Sequence, residues 1–438
     1  MAPTFVFSPP DVSCQTWMPH HSPVKSFGLV AAGVSLALAL AACGSPTAAN
    51  GPSASPTPTP IPSHTCAPVP GITNTSIKLG LVFPQTGPAA ATFANFDVAA
   101  QLRVDEINRK GGLDGRQVSL RIYDDRNDSP TQAKVAKQAV DDGVFGIIAA
   151  SQQQAMYPLL NQLNVPVTGI PNLPPYATNL NVFGAYGAFS TTYASTAAAQ
   201  RFFKGKARSV AIVSLKSPGA LAASRGFAAT LRALKMKQAL PLQVVASGSA
   251  GTAAIATKIR KSKATGVNVV SLVESGVSLM KSLRQQRVSP AMVLIAGLTD
   301  PKDVTQSQGA LDGVVGAPYG FIPLQVDHPE IKTYVAGMAA KEVNPYSDFA
   351  PLGYVAADLM LDGIGRTGSC PTREDFIRIL RGVTDYLGAG LLPGKVSFTP
   401  GVTPDGDPQK CSWFLTVRGE TMLPDTNATC GVLVKVDE

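Results

Sequence analysis

From Ser76 onward the chain repeats one unit: a short apolar run, then a stretch with apolar residues at helical spacing. The runs fall at 77–83, 118–123, 145–150 and 165–169, separated by helical patterns at 98–110, 131–143 and 155–163. A second series follows, with runs at 209–215, 242–246, 267–273 and 292–296 around helical patterns at 221–234, 252–263 and 277–287. Strands buried on both faces read as near-continuous apolar runs, and the helices between them must cover those faces. Each series therefore predicts a doubly wound parallel α/β sheet. Two series predict two lobes, and 438 residues, 45% of them hydrophobic, suffice for more than one core. Ligands of such sheets sit beyond the carboxyl ends of the strands, so two facing lobes can share one cleft. Local punctuation agrees: Gly111-Gly112 closes the first helix, and Asp128-Ser129-Pro130 opens the next with a cap and a first-turn proline.

Ahead of this body, residues 26–42 carry no charge and follow Lys25. The stretch is short for a membrane span, which needs about 20 residues, and has the shape of a secretory signal. It ends in Leu40-Ala41-Ala42-Cys43-Gly44, which resembles the lipobox of bacterial lipoproteins. That resemblance implies a signal peptide over 1–42, begun at Met1 or Met18, and lipidation of Cys43 at the outer face of the cell membrane. Residues 43–74, rich in Pro, Ser and Thr, predict an extended tether. Export leaves Cys66, Cys370, Cys411 and Cys430 in an oxidising compartment. Four cysteines permit three pairings; the expected one joins Cys370 to Cys411 and Cys66 to Cys430.

Catalytic chemistry is thinly represented. Of four histidines, His20 and His21 fall in the signal and His64 in the tether, leaving His328 in the folded body. There is no G-x-S-x-G elbow, phosphate-binding loop or dinucleotide fingerprint, and histidine ligands for zinc are lacking. Ser278-Leu279-Met280-Lys281 fits S-x-x-K without its companion motifs and reads as a helical turn. Asp124-Asp125-Arg126-Asn127-Asp128 lacks calcium-loop spacing and reads as a solvated turn. The net charge of +8 is scattered, without the basic run of a nucleic-acid site. No enzyme activity, cofactor, metal or nucleic-acid partner is expected.

Val104-Asp105-Glu106-Ile107-Asn108, followed by Gly111-Gly112-Leu113-Asp114-Gly115-Arg116, closely resembles the hallmark of type 1 periplasmic binding proteins of the branched-chain amino acid (Leu/Ile/Val) group. Pro84-Gln85-Thr86-Gly87-Pro88 matches that family's loop between first strand and first helix, and 353–358 looks like its late helix. The likeness covers roughly 75–438. It implies two lobes joined by a three-crossing hinge, with 75–187 and 318–386 in the first and 188–317 and 387–438 in the second. It further implies a monomer that closes on a small solute and delivers it to the permease subunits of an ABC importer with a cytoplasmic ATPase. The alternative is the same fold used for sensing through a membrane partner.

The resemblance also implies a ligand site. In the first lobe it points to Thr86, Thr92 and Phe93, then to Ser151, Gln152, Gln153 and Gln154 in a turn expected to open a helix, and to Ile170 and Asn172. In relatives the corresponding turn holds a ligand carboxylate, as a helix N-terminus can. In the second lobe it points to Ser217, to Glu274 and Ser275 in the loop after the run 267–273, and to Ser278, and beside the hinge to Tyr319. Each polar candidate has an ordinary reading beside this one, because Ser, Thr and Asn cap helices at any strand-to-helix turn. For Phe93 and Tyr319 the ordinary reading is core packing. Two departures weigh against an amino-acid ligand: the family's serine-rich turn is glutamine-rich here, and Pro218 replaces a second-lobe aromatic.

Overall fold

A computed structural model of the chain describes residues 66–246 and 250–436. The expected signal peptide, Cys43 and the tether up to residue 65 lie outside the described residues. The first series folds as β1 (Ser76–Phe83), α1 (Phe96–Arg109), β2 (Gln117–Asp124), α2 (Ser129–Asp141), β3 (Ile147–Ala149), α3 (Tyr157–Gln162), β4 (Val167–Gly169), α4 (Pro175–Thr178) and β5 (Val182–Gly184). Its sheet runs β2-β1-β3-β4-β5, every pair parallel, so the order reverses at β1. That reversal opens a crevice at the strands' carboxyl ends. Asp128 caps α2 as its sequence predicts, accepting from the Thr131 N–H at 3.0 Å.

The chain passes through β6 (Tyr193–Ser195) and α5 (Ala197–Lys204) into the second series. This comprises β7 (Ser209–Leu215), α6 (Pro218–Ala233), β8 (Lys237–Gln238), β9 (Gln243–Val245), α7 (Thr252–Ser262), β10 (Gly266–Val270), α8 (Val273–Gln285), β11 (Met292–Ala296), α9 (Pro301–Gln306) and β12 (Val315–Ala317). The chain then returns to the first sheet with α10 (Pro329–Ala339), α11 (Ala350–Arg366) and α12 (Arg373–Leu380). Helix α11 is apolar around most of its circumference and buried from Ala350 to Leu361, packed against α1 and β4. The end of the chain forms β13 (Cys411–Ser412), β14 (Leu415–Arg418), β15 (Thr421–Pro424), β16 (Thr429–Cys430) and β17 (Leu433–Lys435). Strands β14 and β15 extend the second sheet, ordered β15-β14-β12-β11-β10-β7-β8, with β9 also on β7. It is parallel from β8 to β12 and antiparallel at β14 and β15.

Connections between the sheets lie side by side. The Ala188 N–H donates to the Asp407 carbonyl at 3.1 Å. Gly320 lies so close to Tyr186 that a Cβ there would stand 2.6 Å from its ring. Thus segments 185–192, 317–322 and 399–410 pass between the lobes as neighbours. The final crossing comes later than the expected change of lobe at 387, because Leu391, Leu392, Val396 and Phe398 are buried in the first lobe's core. The expected cysteine pairing is also corrected: the disulfides join Cys66 to Cys370 and Cys411 to Cys430. Strands β13 and β16 pair antiparallel with Cys411 opposite Cys430, which leaves Cys370, at the far end of α11, to Cys66.

The hallmark segment is scaffolding. Asn108 clasps the backbone of Val118 in both directions at 2.8 Å, tying α1 to β2. Glu106 accepts from the Tyr354 hydroxyl at 2.6 Å, and Arg103 pairs with Asp358 at 2.8 Å, joining α1 to α11. Asp105 accepts from Lys341 at 2.8 Å.

Candidate functional site

The loops beyond the strand ends of the two sheets face each other, and the expected site residues fall among them with unequal roles. After β1, the Thr86 hydroxyl donates to Asp124 at 2.5 Å, and the Gln85 and Arg126 N–H groups each donate to the same carboxylate at 3.0 Å. Partial burial works to raise the Asp124 pKa, but these hydrogen bonds prevail and hold it below the usual carboxylate range. Thr86 is therefore engaged within its own lobe. Thr92 is exposed, whereas Phe93 is buried with its ring 5.4 Å from Phe349, which stacks on Tyr319 at 5.6 Å. These three rings make a wall from the first lobe to the crossing at 317–322.

The turn at Ser151 departs from expectation. The Ser151 hydroxyl points into the lobe, donating to Asp125 at 2.5 Å, and accepts from the Gln153 N–H at 3.1 Å. Gln132 donates to the same Asp125 oxygen at 2.9 Å. Asp125 is fully buried, which corrects the reading of 124–128 as a solvated turn. Gln152 is exposed and pairs with Asn127, Gln153 is half-buried and Gln154 exposed. These residues open no helix. Pro158 occupies the first turn of α3, which begins only at Tyr157 and has 6 residues, so no helix N-terminus faces a ligand here. Ile170 is buried, its N–H donating to the Ala149 carbonyl at 3.2 Å and its carbonyl accepting from the Asn172 N–H at 2.8 Å. Asn172 donates through Nδ2 to the Ser151 carbonyl at 3.0 Å, while its Oδ1 is shielded from solvent and has no partner.

In the second lobe Ser217 caps α6, accepting from the Ala220 N–H at 3.4 Å. Strand β10 stops at Val270 and α8 starts at Val273, so Glu274 and Ser275 lie in a helical first turn and not in a loop. Glu274 is exposed, Ser275 is buried with an unpartnered hydroxyl, and Ser278 is half-buried one turn further on.

Of the acidic end of this cleft, sequence reasoning found Glu274 and missed the three aspartates. Asn344 donates to Asp300 at 2.7 Å, a hydrogen bond that bridges the lobes. Burial pushes Asp303 up to about 6, aided by Asp300 and Glu274. Asp348, just ahead of α11, is likewise pushed up to about 6 by burial and then by Asp303, Asp300 and Glu274. For the aspartates the sequence offers Asp300-Pro301, a helix-start signature that describes a cap and says nothing of charge across a cleft.

At the other end a cavity of about 520 Å³ opens between α4 and α6, beside the crossing at 189–192. Asn172, Leu173, Phe189, Gly219, Ala222 and Arg225 line it. In the second sheet the open end follows β7 and the acidic end follows its neighbours β10 and β11.

The model of the family described as periplasmic binding protein matches residues 76–421. The chain belongs to this family. Within it the relatives place it in the type 1, branched-chain amino acid group. It is 26% identical over 361 residues to the Leu/Ile/Val-binding protein BraC3 of Rhizobium johnstonii, covering 81% of this chain and 95% of the relative. Its fold is similar to that of a putative branched-chain amino acid ABC transporter from Rhodospirillum rubrum, with a TM-score of 0.67 and 23% identity over 80% of this chain and 100% of the other. A fatty acid ABC transporter substrate-binding protein from Thermomonospora curvata fits almost as well, with a TM-score of 0.63 and 17% identity over 85% and 94% of the two chains. One fold thus serves proteins named for chemically different solutes, and these relatives are binding proteins, not enzymes. Ligand class has to be sought in the cleft itself.

Proposed function

We propose that this periplasmic binding protein is the extracytoplasmic substrate-binding component of an ABC importer, lipid-anchored through Cys43, that captures an amino acid or related small solute. The solute is taken between the lobes by hinge closure and passed to permease subunits driven by a cytoplasmic ATPase. The observation that carries this reading is the pair of facing parallel sheets, joined by three adjacent crossings and bridged at one end by Asn344 and Asp300. Closure is then a shift of population toward the form that holds solute better. A melting screen against amino acids, carboxylates and other metabolites tests capture, since a ligand at a hundredfold excess over Kd stabilises the native state by about 2.7 kcal/mol. No shift from any solute would remove the proposal. Anchoring has its own arm: Cys43→Ser should release the protein from the membrane, and continued tight retention would count against lipidation.

The acidic end gives the stability of the fold a pH dependence. Asp348 stands on the first lobe, and Asp303, Asp300 and Glu274 on the second, with Lys302 partly offsetting Asp303. The folded-state pKa of Asp348 and of Asp303 lies above the usual value of 3.8, so the folded form holds more protons between about pH 4 and 6. Their contribution to stability is full below that window and lost as pH rises through about 6. Asp348→Asn should gain about 1–2 kcal/mol at pH 7.5, after discounting for solvent screening, and nothing at pH 4. Urea unfolding at both values checks this; an equal gain at both would dismiss charge repulsion as the cause.

A further inference from the structure

The positive charge that is scattered along the sequence is gathered in space. Residues 66–187 carry nine Lys and Arg against nine Asp and Glu, whereas residues 188–317 carry seventeen against four. Those four acids are Glu274, Asp300, Asp303 and Asp312, so the connections 199–210, 232–240, 257–266 and 284–292 contain none. These connections feed β7, β8, β10 and β11, which are neighbours in one parallel sheet, and they meet its edge on the side away from the cleft. The four strand starts span about 15 Å, at ~4.8 Å per step. Lys206, Arg208, Lys235, Lys237, Lys263 and Arg287 stand along this edge, and all six are exposed. Carboxylates return only past β11, at Asp312 and, beside it, the turn holding Glu420.

A cation at the end of a helix also has an ordinary role, offsetting the helix dipole. That role can be filled anywhere in the last turn. Here four of the six occupy the left-handed position just beyond a helix, with φ of 60° at Lys206 and 54° at Lys235, Lys263 and Arg287. Three of these ends are closed by the next N–H: Ala207 to the Phe202 carbonyl at 3.0 Å, Met236 to Leu231 at 2.8 Å and Val288 to Leu283 at 2.9 Å. Such closures favour glycine, and the first lobe uses Gly111, Gly143 and Asn164 at the corresponding places. The second lobe thus forgoes the easier residue four times and gains an exposed cation each time. Beside them Phe203, 44% exposed at the end of α5, carries the Arg208 guanidinium 3.3 Å from its ring centre.

We infer that this edge of the second lobe docks on the anionic headgroup layer of a lipid membrane. Cations fanned over an edge suit a surface of many anions, and an exposed aromatic ring among them suits the boundary between headgroups and acyl chains. The inference goes beyond solute capture and rests on the extracytoplasmic, anchored placement proposed above. Residues 44–65, expected to be extended, reach about 70 Å at ~3.1 Å each, against a radius of gyration of about 20 Å for a body of this size. The second lobe can therefore meet the membrane that holds Cys43. The cleft lies at the opposite ends of the same strands, so docking leaves it open to solute. Contact of this kind is reversible and screened by salt; it orients an anchored protein and does not replace the lipid.

Co-sedimentation of the full chain carrying Cys43→Ser, which cannot take the lipid, reads this edge alone. The vesicles are phosphatidylcholine, either pure or with about one third phosphatidylglycerol, on which each nearby Lys or Arg is worth roughly fivefold in affinity. Partition into the anionic vesicles should exceed that into the neutral ones at least tenfold at ~0.1 M salt, and the excess should vanish at ~1 M. Combining Lys206→Gly, Lys235→Gly, Lys263→Gly and Arg287→Gly, which suits the backbone, should cut anionic partition at least tenfold without lowering the melting temperature. Combining Lys110→Gln, Lys134→Gln, Lys332→Gln and Lys395→Gln removes the same charge from exposed first-lobe sites and should change partition less than twofold. Equal partition into both kinds of vesicle, or equal loss in the two combined variants, would overturn the inference. So would retention on immobilised heparin without vesicle binding, which would reassign the edge to a soluble polyanion. In each case solute capture and lipidation stand, because the melting screen and the fractionation of Cys43→Ser read them separately.

Discussion

Replacing Arg381 with methionine is expected to cost the fold about 3–5 kcal/mol, because it strands a buried carboxylate. Arg381 follows α12 with its side chain 11% exposed, and Asp405, 3.2 Å away on the last crossing, is 1% exposed. The guanidinium also donates to the carbonyls of Leu180 at 2.9 Å, Val182 at 2.8 Å, Asn179 at 3.2 Å and Asp405 at 2.8 Å. It lies over the Phe183 ring, 4.1 Å from its centre. One side chain thus joins α12, β5 and the crossing that leads to the second lobe. Burial lowers Arg381 to about 10 and raises Asp405 to about 6, in each case against their mutual attraction. Desolvation therefore exceeds the charge pairing, and the pair is tolerated more than it is stabilising.

This gives the variant a signature in pH. Without Arg381 the Asp405 pKa rises further above its unfolded value. Stability linked to it is then full below about pH 4 and lost as pH climbs through 6 and beyond. The deficit of Arg381→Met should be larger at pH 8 than at pH 5, and adding Asp405→Asn should recover about 1–2 kcal/mol at pH 8. Chemical denaturation of the single and double variants checks both. A deficit below 1 kcal/mol, or one indifferent to pH, would show that the crossing is held by something else.

Much of the architecture was legible because it is written in periodicity. Runs such as that at 209–215 and the cap at Asp128 determine local structure on their own, and the strands and helices expected over 77–169 and 209–296 are observed within a few residues of their predicted places. The last lobe change was not legible. Leu391, Leu392, Val396 and Phe398 sit among Gly and Pro residues with no period of 2 or 3.6, and only tertiary packing reveals which core they join. The same ambiguity misplaced Glu274. The run 267–273 is apolar apart from Asn268 and Ser271, but Ser271 and Leu272 break the strand, and Val273 already belongs to a helix.

The site was harder to read for a related reason: residue type marks the turn but not the direction of its side chain. Ser151 stands where a ligand contact was expected and turns inward, because Asp125 beside it is buried and needs donors. Asn172 was identified, but that its Oδ1 is left without a donor is a property of packing. Arg225 lies in mid-helix and bears no motif; only the helix-to-helix approach across the cleft brings it to the cavity. The hallmark of the family was the most specific signal in the chain, and it reports the joint between α1, α11 and β2.

Loss of the Cys66–Cys370 bridge is the other large effect expected. The cysteines are 304 residues apart in sequence, against 19 for Cys411 and Cys430. Cross-linking restricts the unfolded chain more as the closed loop lengthens, so removing the long bridge should cost about 3–5 kcal/mol and the short one about 2–3. Its neighbourhood is braced by Arg116, 1% exposed, which donates to the carbonyls of Thr73 at 2.9 Å and Ser369 at 2.7 Å. Bridge and arginine together fasten the segment ahead of β1 to the turn between α11 and α12. That turn lies at the opposite end of α11 from Asp348, about 25 Å from the cleft, given 17 residues at 1.5 Å each. Strain arriving along the expected tether would therefore enter the first lobe far from the solute. Cys370→Ser should lower stability by more than Cys411→Ser while leaving solute affinity within twofold. Proteolytic mapping under non-reducing conditions should recover a peptide joining 66 to 370, and a peptide joining 370 to 411 instead would refute both the pairing and this route for the load.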